Sequence, residues 1–355
     1  VPVQNLMLAD AQGNAGWRPI GAVSARIKPS LYAIDESDYS ALWLQQEPNL
    51  PTYINPSHGR LWTANARVIS ASDFPRYGDG GYAVGARGLQ IRDRLFGRQS
   101  FDEASFYSIQ LDNEARFIMP WHTQLYNLLR KNPALYSKDI EILKQWKNCA
   151  CADSIGYTLA RRYRSTVINS LLAPIYREMK QSDLALNTAL RSIEPAIWQL
   201  LDKEPLDWLP KGFDSYEAFL LASYEDTKST LIKAYDADAE TLAGLEWGNV
   251  NKLQVQHPFA GQLGPLSGLL NMPEVDGFGD SYMPAVQLSK FGASQRLIVR
   301  PGNEEMGILT VPGGQSGHPL SDFYSAGFMQ YADGANTPLL PGEAQHSITI
   351  SPQTE

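Results

Sequence analysis

Cysteine is nearly absent from this 355-residue chain, which has only Cys149 and Cys151, one residue apart. A bridge across a single residue is strained, and two lone thiols lack the other ligands of a structural zinc site. Neither a disulfide framework nor a zinc centre is therefore expected, and Cys149 reads as a buried, inert thiol. Histidine is also scarce: the five, at 58, 122, 257, 318 and 346, show no metal-ligand spacing, and no H-E-x-x-H or carboxylate cage accompanies them. No metal or other cofactor is expected from the residues. Positive charge is short as well, with Lys+Arg 30 against Asp+Glu 38 and a net charge of -8, so nothing funnels a nucleic-acid backbone toward the protein. No apolar run reaches about 18 residues, so no membrane span is expected. Gly 28 and Pro 23 are too few for a collagen-like or low-complexity chain. What is present is ordinary globular material: hydrophobic residues at 43% and charged residues at 19% can build a core and exclude whole-chain disorder. Length alone gives a prior of about two domains. The chain begins at Val1 with no basic-plus-apolar leader, and reads as a processed or trimmed piece of something longer.

The opening reads as a β-hairpin, Leu6–Ala9 leading through Gln12-Gly13-Asn14 into Ala15–Val23, because Gly and Asn supply the positive φ of a tight turn. Residues 30–56 read as an ordered surface loop, and Leu61–Ala64 as a buried strand or its end. The middle is helical. Helices are expected from Ala86, from Asp102-Glu103, and over Asp139–Trp146, where Ile140, Leu143 and Trp146 share a face. Over Asp153–Met179, residues Ile155, Leu159, Tyr163, Val167, Leu171 and Ile175 form one stripe. Further helices are expected over Asp183–Leu201, interrupted by Pro195, and over Ser215–Ala239, with Asp183 and Ser215 as N-caps. After about residue 245, short β-type runs follow at Asn249–Gln256, Met283–Leu288, Gln295–Val299 and Gly307–Val311. Strands, then helices, then strands indicate an α+β fold divided near residues 1–80, 81–245 and 246–355.

No complete catalytic set follows from the residues alone. Gly313–His318 sets Ser316 among glycines near His318, but a nucleophile elbow needs Gly two residues after the Ser, and His318 stands there. A structural Gly-rich loop is the plainer reading, with a Ser316-based hydrolase as a weaker rival. Gly261–Gly268 lacks the Lys-Ser/Thr of a phosphate loop. Asn65 closes a short apolar run just before Arg67. Its amide is a usable donor of the kind oxyanion holes require, though turn formation is the commoner role. Arg87 reads as a helix-start or surface arginine.

Five segments in register resemble the penicillin acylase (penicillin amidase) family of N-terminal nucleophile hydrolases. Ala9-Asp10-Ala11-Gln12-Gly13-Asn14-Ala15-Gly16 resembles the family's A-D-x-x-G-N-I-G hairpin. Asn55-Pro56-Ser57-His58-Gly59 with Thr63-Ala64-Asn65-Ala66-Arg67 resembles N-P-x-x-G followed by T-A-N-N-R. Arg87-Gly88-Leu89-Gln90-Ile91 with Leu95 is similar to R-x-x-R/Q-I-x-x-x-L, and Gln110-Leu111-Asp112 to Q-x-D. Gly292–Arg296 and Gly313–Ser321 resemble G-A-S-x-R and G-G-Q-S-G-H-P-x-S.

The resemblance covers the C-terminal part of the family's β-subunit, and implies part of a four-layer αββα sandwich with a helical excursion in the middle. In that family a zymogen cuts itself to expose a Ser as the first residue of the β-chain. That Ser attacks a linear amide, with its own α-amine, of pKa about 8, as the base. The resemblance implies that the Ser lies on a segment outside this chain, that the partners are this segment and the α-subunit, and that the substrate is a small amide. It implies a periplasmic or secreted location. Asn65 falls at the family's oxyanion asparagine and Arg87 at its arginine. Penicillin-type antibiotics, acyl-homoserine lactones and peptide-like amides all remain open as substrates, as does a catalytically inactive homologue with a binding or structural role. Departures stand at Ala66, where the family often has Asn, and in Ser321–Phe328, where its C-terminal pattern is eroded. At the family's calcium-ligand position this chain has Arg76, with Asp73 and Asp79 out of register, so calcium ligands are not evident here; the resemblance leaves Ca2+ open for the full protein, with its other ligands on the segment outside this chain.

Overall fold

The computed structural model describes residues 4–25, 35, 37, 49–78, 81–183 and 190–352. Most of the surface loop expected over 30–56 lies outside the described residues. The chain opens with β1 (Gln4–Ala9) and β2 (Ala15–Ile20), antiparallel and closed by Ala9 opposite Ala15, with β3 (Tyr53–Ile54) joined to β2. Gly13, at φ 89, makes the turn that the Gln-Gly-Asn run predicts. In the order β1-β2-β3, β1 is an edge, and it is exposed along nearly its whole length.

Helices follow: α1 (Phe74–Tyr77), α2 (Ala86–Phe96), α3 (Glu103–Gln110), α4 (Met119–Leu129), α5 (Ser137–Lys144), α6 (Ile155–Gln181), α7 (Glu194–Lys203), α8 (Tyr216–Tyr235) and α9 (Trp247–Val250). The long helix α6 is the axis. Its stripe Leu159, Tyr163, Val167 and Leu171 is buried and meets Trp121, Leu125 and Leu129 of α4 and Phe219 and Tyr224 of α8. Local chemistry sets the helix starts. Asp102 and Ser105 form a reciprocal capping box at α3, and Ser154 and Ser215 accept from Tyr157 N and Ala218 N. Ser215→Ala should therefore cost about 1 kcal/mol in urea unfolding, with the midpoint lowered and the slope unchanged.

The C-terminal part carries the short ladders β4 (Gln287–Leu288) with β5 (Phe291–Gly292) and β6 (Arg296–Ile298) with β7 (Ile308–Thr310), then helix α10 (Phe328–Asp333). It is fastened to the helices through a cluster of Ile118, Tyr157, Trp247 and Met283. The fold is thus mixed α+β.

Several expectations are corrected. Leu61–Ala64 forms no strand; it is half-buried irregular chain. Pro195 opens α7 rather than interrupting it, since a proline in the first turn gives up only an N–H that has no intrahelical partner. Asp183, at φ 53, closes the turn after α6, and residues 184–189 lie outside the described residues. Asn249–Gln256 is not a strand: α9 runs to Val250, and only Leu253 bridges, to Val275. Cys149 and Cys151 form a disulfide. Their Cα atoms are 5.2 Å apart, inside the normal bridging range, and Cys149 also forms an isolated antiparallel bridge with Glu114. Among the described residues, no helix is long and apolar enough to cross a membrane.

Candidate active site

Three ties fix the segments around Asn65. The first hold begins at the hairpin. Asp10 accepts from the backbone N–H groups of Gln12 and Asn14 at 3.0 and 2.9 Å, and from Asn14 Nδ2 at 2.8 Å. These bonds keep the half-buried Asp10 carboxyl below the usual carboxylate range, the Asn14 amide contributing most. Asn14 Oδ1 in turn accepts from Asn55 Nδ2, and Asn55 Oδ1 accepts from Ala15 N, both at 2.8 Å. The A-D-x-x-G-N and N-P segments are therefore one polar clasp that joins the hairpin end to β3.

The second hold is Arg60. Its fork donates to the carbonyls of Leu95, Arg98 and His58, and so ties the loop after Pro56 to the end of α2. His58, Trp62 and Phe96 pack their rings beside it, with the Arg60 guanidinium over Phe96. The third hold is at the far end of α2, where Arg94 donates to Asp112 at 2.6 Å and to Glu114 at 2.5 Å. Burial pushes the Asp112 carboxyl up, but its bonds from Arg94 and its neighbours outweigh that and hold it below the ordinary value.

Between these anchors, Asn65 has φ 62, a left-handed conformation that Asn tolerates better than most residues. Its carbonyl accepts from Ala83 N at 2.9 Å. From the first turn of α2, Arg87 donates through Nη2 to Asn65 Oδ1 at 2.6 Å and to Ala64 O at 3.0 Å. The amide oxygen is thereby occupied, and the Asn65 NH₂ is left as the outward donor. Arg87 is half-buried, and burial lowers its pKa below the usual arginine value; its Nε is buried without a hydrogen-bond partner, as is Thr63 Oγ1. No carboxylate pairs with Arg87 among the described residues.

Other candidates do not converge on a reaction centre. Ser316 Oγ accepts from His318 N, and His318 Nδ1 accepts from Leu320 N, so both side chains serve their own loop. Gly314 is needed there, since a Cβ would lie 1.8 Å from Phe323 O. Arg296 of the G-A-S-x-R segment donates to Tyr331 O at 2.6 Å and stacks on that ring, which makes it a core tie. Among the described residues around Arg76, no calcium-ligand set is evident. A guanidinium stands at the aligned position, over Tyr77 and donating to Asn49 O, while Asp73 is bonded to Ser70; Asp79 lies outside the described residues. Among the described residues, no group of three or more His, Cys, Asp or Glu could hold a metal ion.

One feature of the site escaped the sequence reading. A cavity of about 390 Å³ adjoins Asn65, lined by Trp17, Tyr53, His58, Trp62, Arg67 and Leu89 among others. These residues are scattered over more than seventy positions, and only the fold gathers them. The glycines flanking Arg87, at 85 and 88, were the available local signal.

A family model described as penicillin amidase matches residues 1–347. No curated protein matches the sequence. Among solved structures, a thermostable penicillin G acylase from Alcaligenes faecalis superposes with a TM-score of 0.56 at 13% identity, over 99% of this chain and 68% of that one. At that identity the likeness is one of fold.

Proposed function

Because the chain belongs to the penicillin amidase family, we propose that it is the portion of an amide hydrolase that supplies one oxyanion donor to a nucleophile carried elsewhere. The contact that carries this reading is Arg87 Nη2 to Asn65 Oδ1 at 2.6 Å. An asparagine amide can face a reacting oxygen with either its donor or its acceptor end. A guanidinium on Oδ1 rejects the wrong orientation, because it has no acceptor to offer the NH₂.

In the proposed reaction, a Ser Oγ on a companion segment attacks the amide carbon, and the α-amine of that Ser takes the hydroxyl proton. The carbonyl oxygen becomes an oxyanion and receives a hydrogen bond from Asn65. Collapse breaks the C–N bond, the leaving amine takes the proton, and water then cleaves the acyl-Ser ester. Arg87 is a positioning residue that holds Asn65. Its partnerless Nε and the Thr63 hydroxyl are consistent with a site completed by groups from outside this chain.

The edge β1, with both Met7 and Leu8 exposed, suits pairing with such a segment in a four-layer αββα sandwich. The Cys149–Cys151 disulfide suits a periplasmic or secreted location. The test is N-terminal sequencing and mass measurement of the native protein alongside an amide-hydrolysis assay. A companion chain that begins with Ser, with turnover, is the expected result. A native protein with no such chain and no turnover would favour a binding or structural role.

A further inference from the structure

We infer that the Cys149–Cys151 disulfide is a thiol-exchange site: a small thiol enters the cavity beside Cys149, attacks that sulfur and expels Cys151 as a thiolate. The inference stands apart from the amide chemistry at Asn65.

The first observation is access. Cys149 lines a cavity of about 260 Å³ between α5 and the start of α6, with Ile142, Trp146, Lys147, Ser154 and Gly156 among its other walls. Cys151 is not one of those walls. Lys147 and Asp153 also line the space, 3.7 Å apart, so their charges offset each other and an uncharged thiol suits it. The second observation is that the segment does not depend on the bridge. Ala115 N donates to Asn148 O and Ala150 N to Asn113 O, each at 2.9 Å. Gly279 N donates to Ala150 O and Gly248 N to Ala152 O, each at 2.8 Å. Trp146 Nε1 adds a bond to Cys149 O at 2.9 Å. The bridge joins residues only two positions apart, so it withdraws less freedom from the unfolded chain than one closing a long loop. Once opened, the two sulfurs therefore stay side by side in a folded protein.

The third observation is the leaving group. Asn113 Nδ2 donates to Cys151 Sγ at 3.5 Å. A disulfide sulfur is a weak acceptor and a thiolate a much stronger one, so this donor favours the departure of Cys151. Among the described residues, no such donor faces Cys149 Sγ. In the exchange, the entering thiolate forms an S–S bond to Cys149 Sγ, the Cys149–Cys151 bond breaks, and Cys151 keeps the electron pair beside Asn113. A second thiol then attacks the first one's sulfur and releases Cys149. Two thiols are thereby oxidised to their disulfide, the bridge takes up their two electrons, and their two protons end on the cysteines.

The test is exposure of the native protein to mercaptoethanol, with early samples quenched in excess N-ethylmaleimide and the adducts located by peptide mass spectrometry. Mercaptoethanol should be found on Cys149 and maleimide on Cys151, at least about tenfold over the reverse arrangement. The opening rate should be independent of urea below the unfolding transition, since the cavity gives access without unfolding. Asn113→Ala should slow opening about three- to tenfold with an unchanged melting curve, and Asn113→Asp, which sets a like charge against the departing thiolate, should slow it further. The fully reduced protein should keep its far-UV spectrum and melt within a few degrees of the oxidised one. Adducts mainly on Cys151, opening only where urea unfolds the chain, a wild-type rate in Asn113→Ala, or collapse of the fold on reduction would each overturn the exchange site.

Discussion

Asn65→Gly should slow amide hydrolysis by the native enzyme about 100- to 1,000-fold, the usual cost of one oxyanion-hole donor. Glycine is the informative replacement because Asn65 sits at φ 62. It removes the amide while keeping the left-handed backbone, and with it the bond from Ala83 N to Asn65 O. Asn65→Ala should lose as much activity and, in addition, about 1 kcal/mol of stability from the strained backbone. Activity loss shared by both variants, with destabilisation confined to alanine, separates transition-state stabilisation from a turn-forming role. The loss should appear in kcat, because the donor engages an oxygen that becomes charged only in the transition state. Turnover of the glycine variant within a few-fold of wild type would remove Asn65 from the mechanism.

How much of this was legible before the structure depends on the range of the interaction concerned. The hairpin and α6 were readable because their signals are local: a Gly-Asn turn, and a four-residue apolar stripe that the fold buries between α4 and α8. The pairing of Asn65 with Arg87 has no period and no motif chemistry of its own. Composition made one a turn residue and the other a helix start, and only the family resemblance set them together. The disulfide runs against the expectation from strain: the Cα atoms of Cys149 and Cys151 lie 5.2 Å apart, inside the range a bridge needs. The cavity was invisible because its walls come from β2, β3, the loop after Pro56 and α2. Most of the other family-like residues turn out to brace the structure. Asp10, Asn14 and Asn55 clasp the hairpin, Asp112 anchors α2 through Arg94, and Arg296 ties the core. A motif read from sequence mixes such braces with reacting groups, and only geometry sorts them.

A large stability loss, about 3 kcal/mol, is expected for Asp280→Ala, because it leaves the largely buried Arg161 cation without its carboxylate. Asp280 is fully buried and accepts from Arg161 Nε and from Tyr157 hydroxyl, each at 2.7 Å, and from Ser281 N at 2.5 Å. Arg161 and Tyr157 belong to α6 and Asp280 to the C-terminal part, so this cluster holds the two together. Burial pushes the Asp280 carboxyl up, but Arg161, Tyr157 and Ser281 outweigh it, and its pKa lies below the ordinary aspartate value. A depressed folded-state pKa contributes stability that is present above the unfolded value of about 3.9 and is lost as pH falls through the folded value. Asp280→Asn keeps the shape and some hydrogen bonds but cannot ionise. Its stability deficit against wild type, measured by urea unfolding, should be full near pH 7, begin to shrink below about pH 4, where the unfolded wild-type chain takes up the proton, and level off once pH falls below the lower folded-state pKa. A deficit that stayed constant down to the acid transition would mean that packing, and not the charge on Asp280, fastens the C-terminal part to α6.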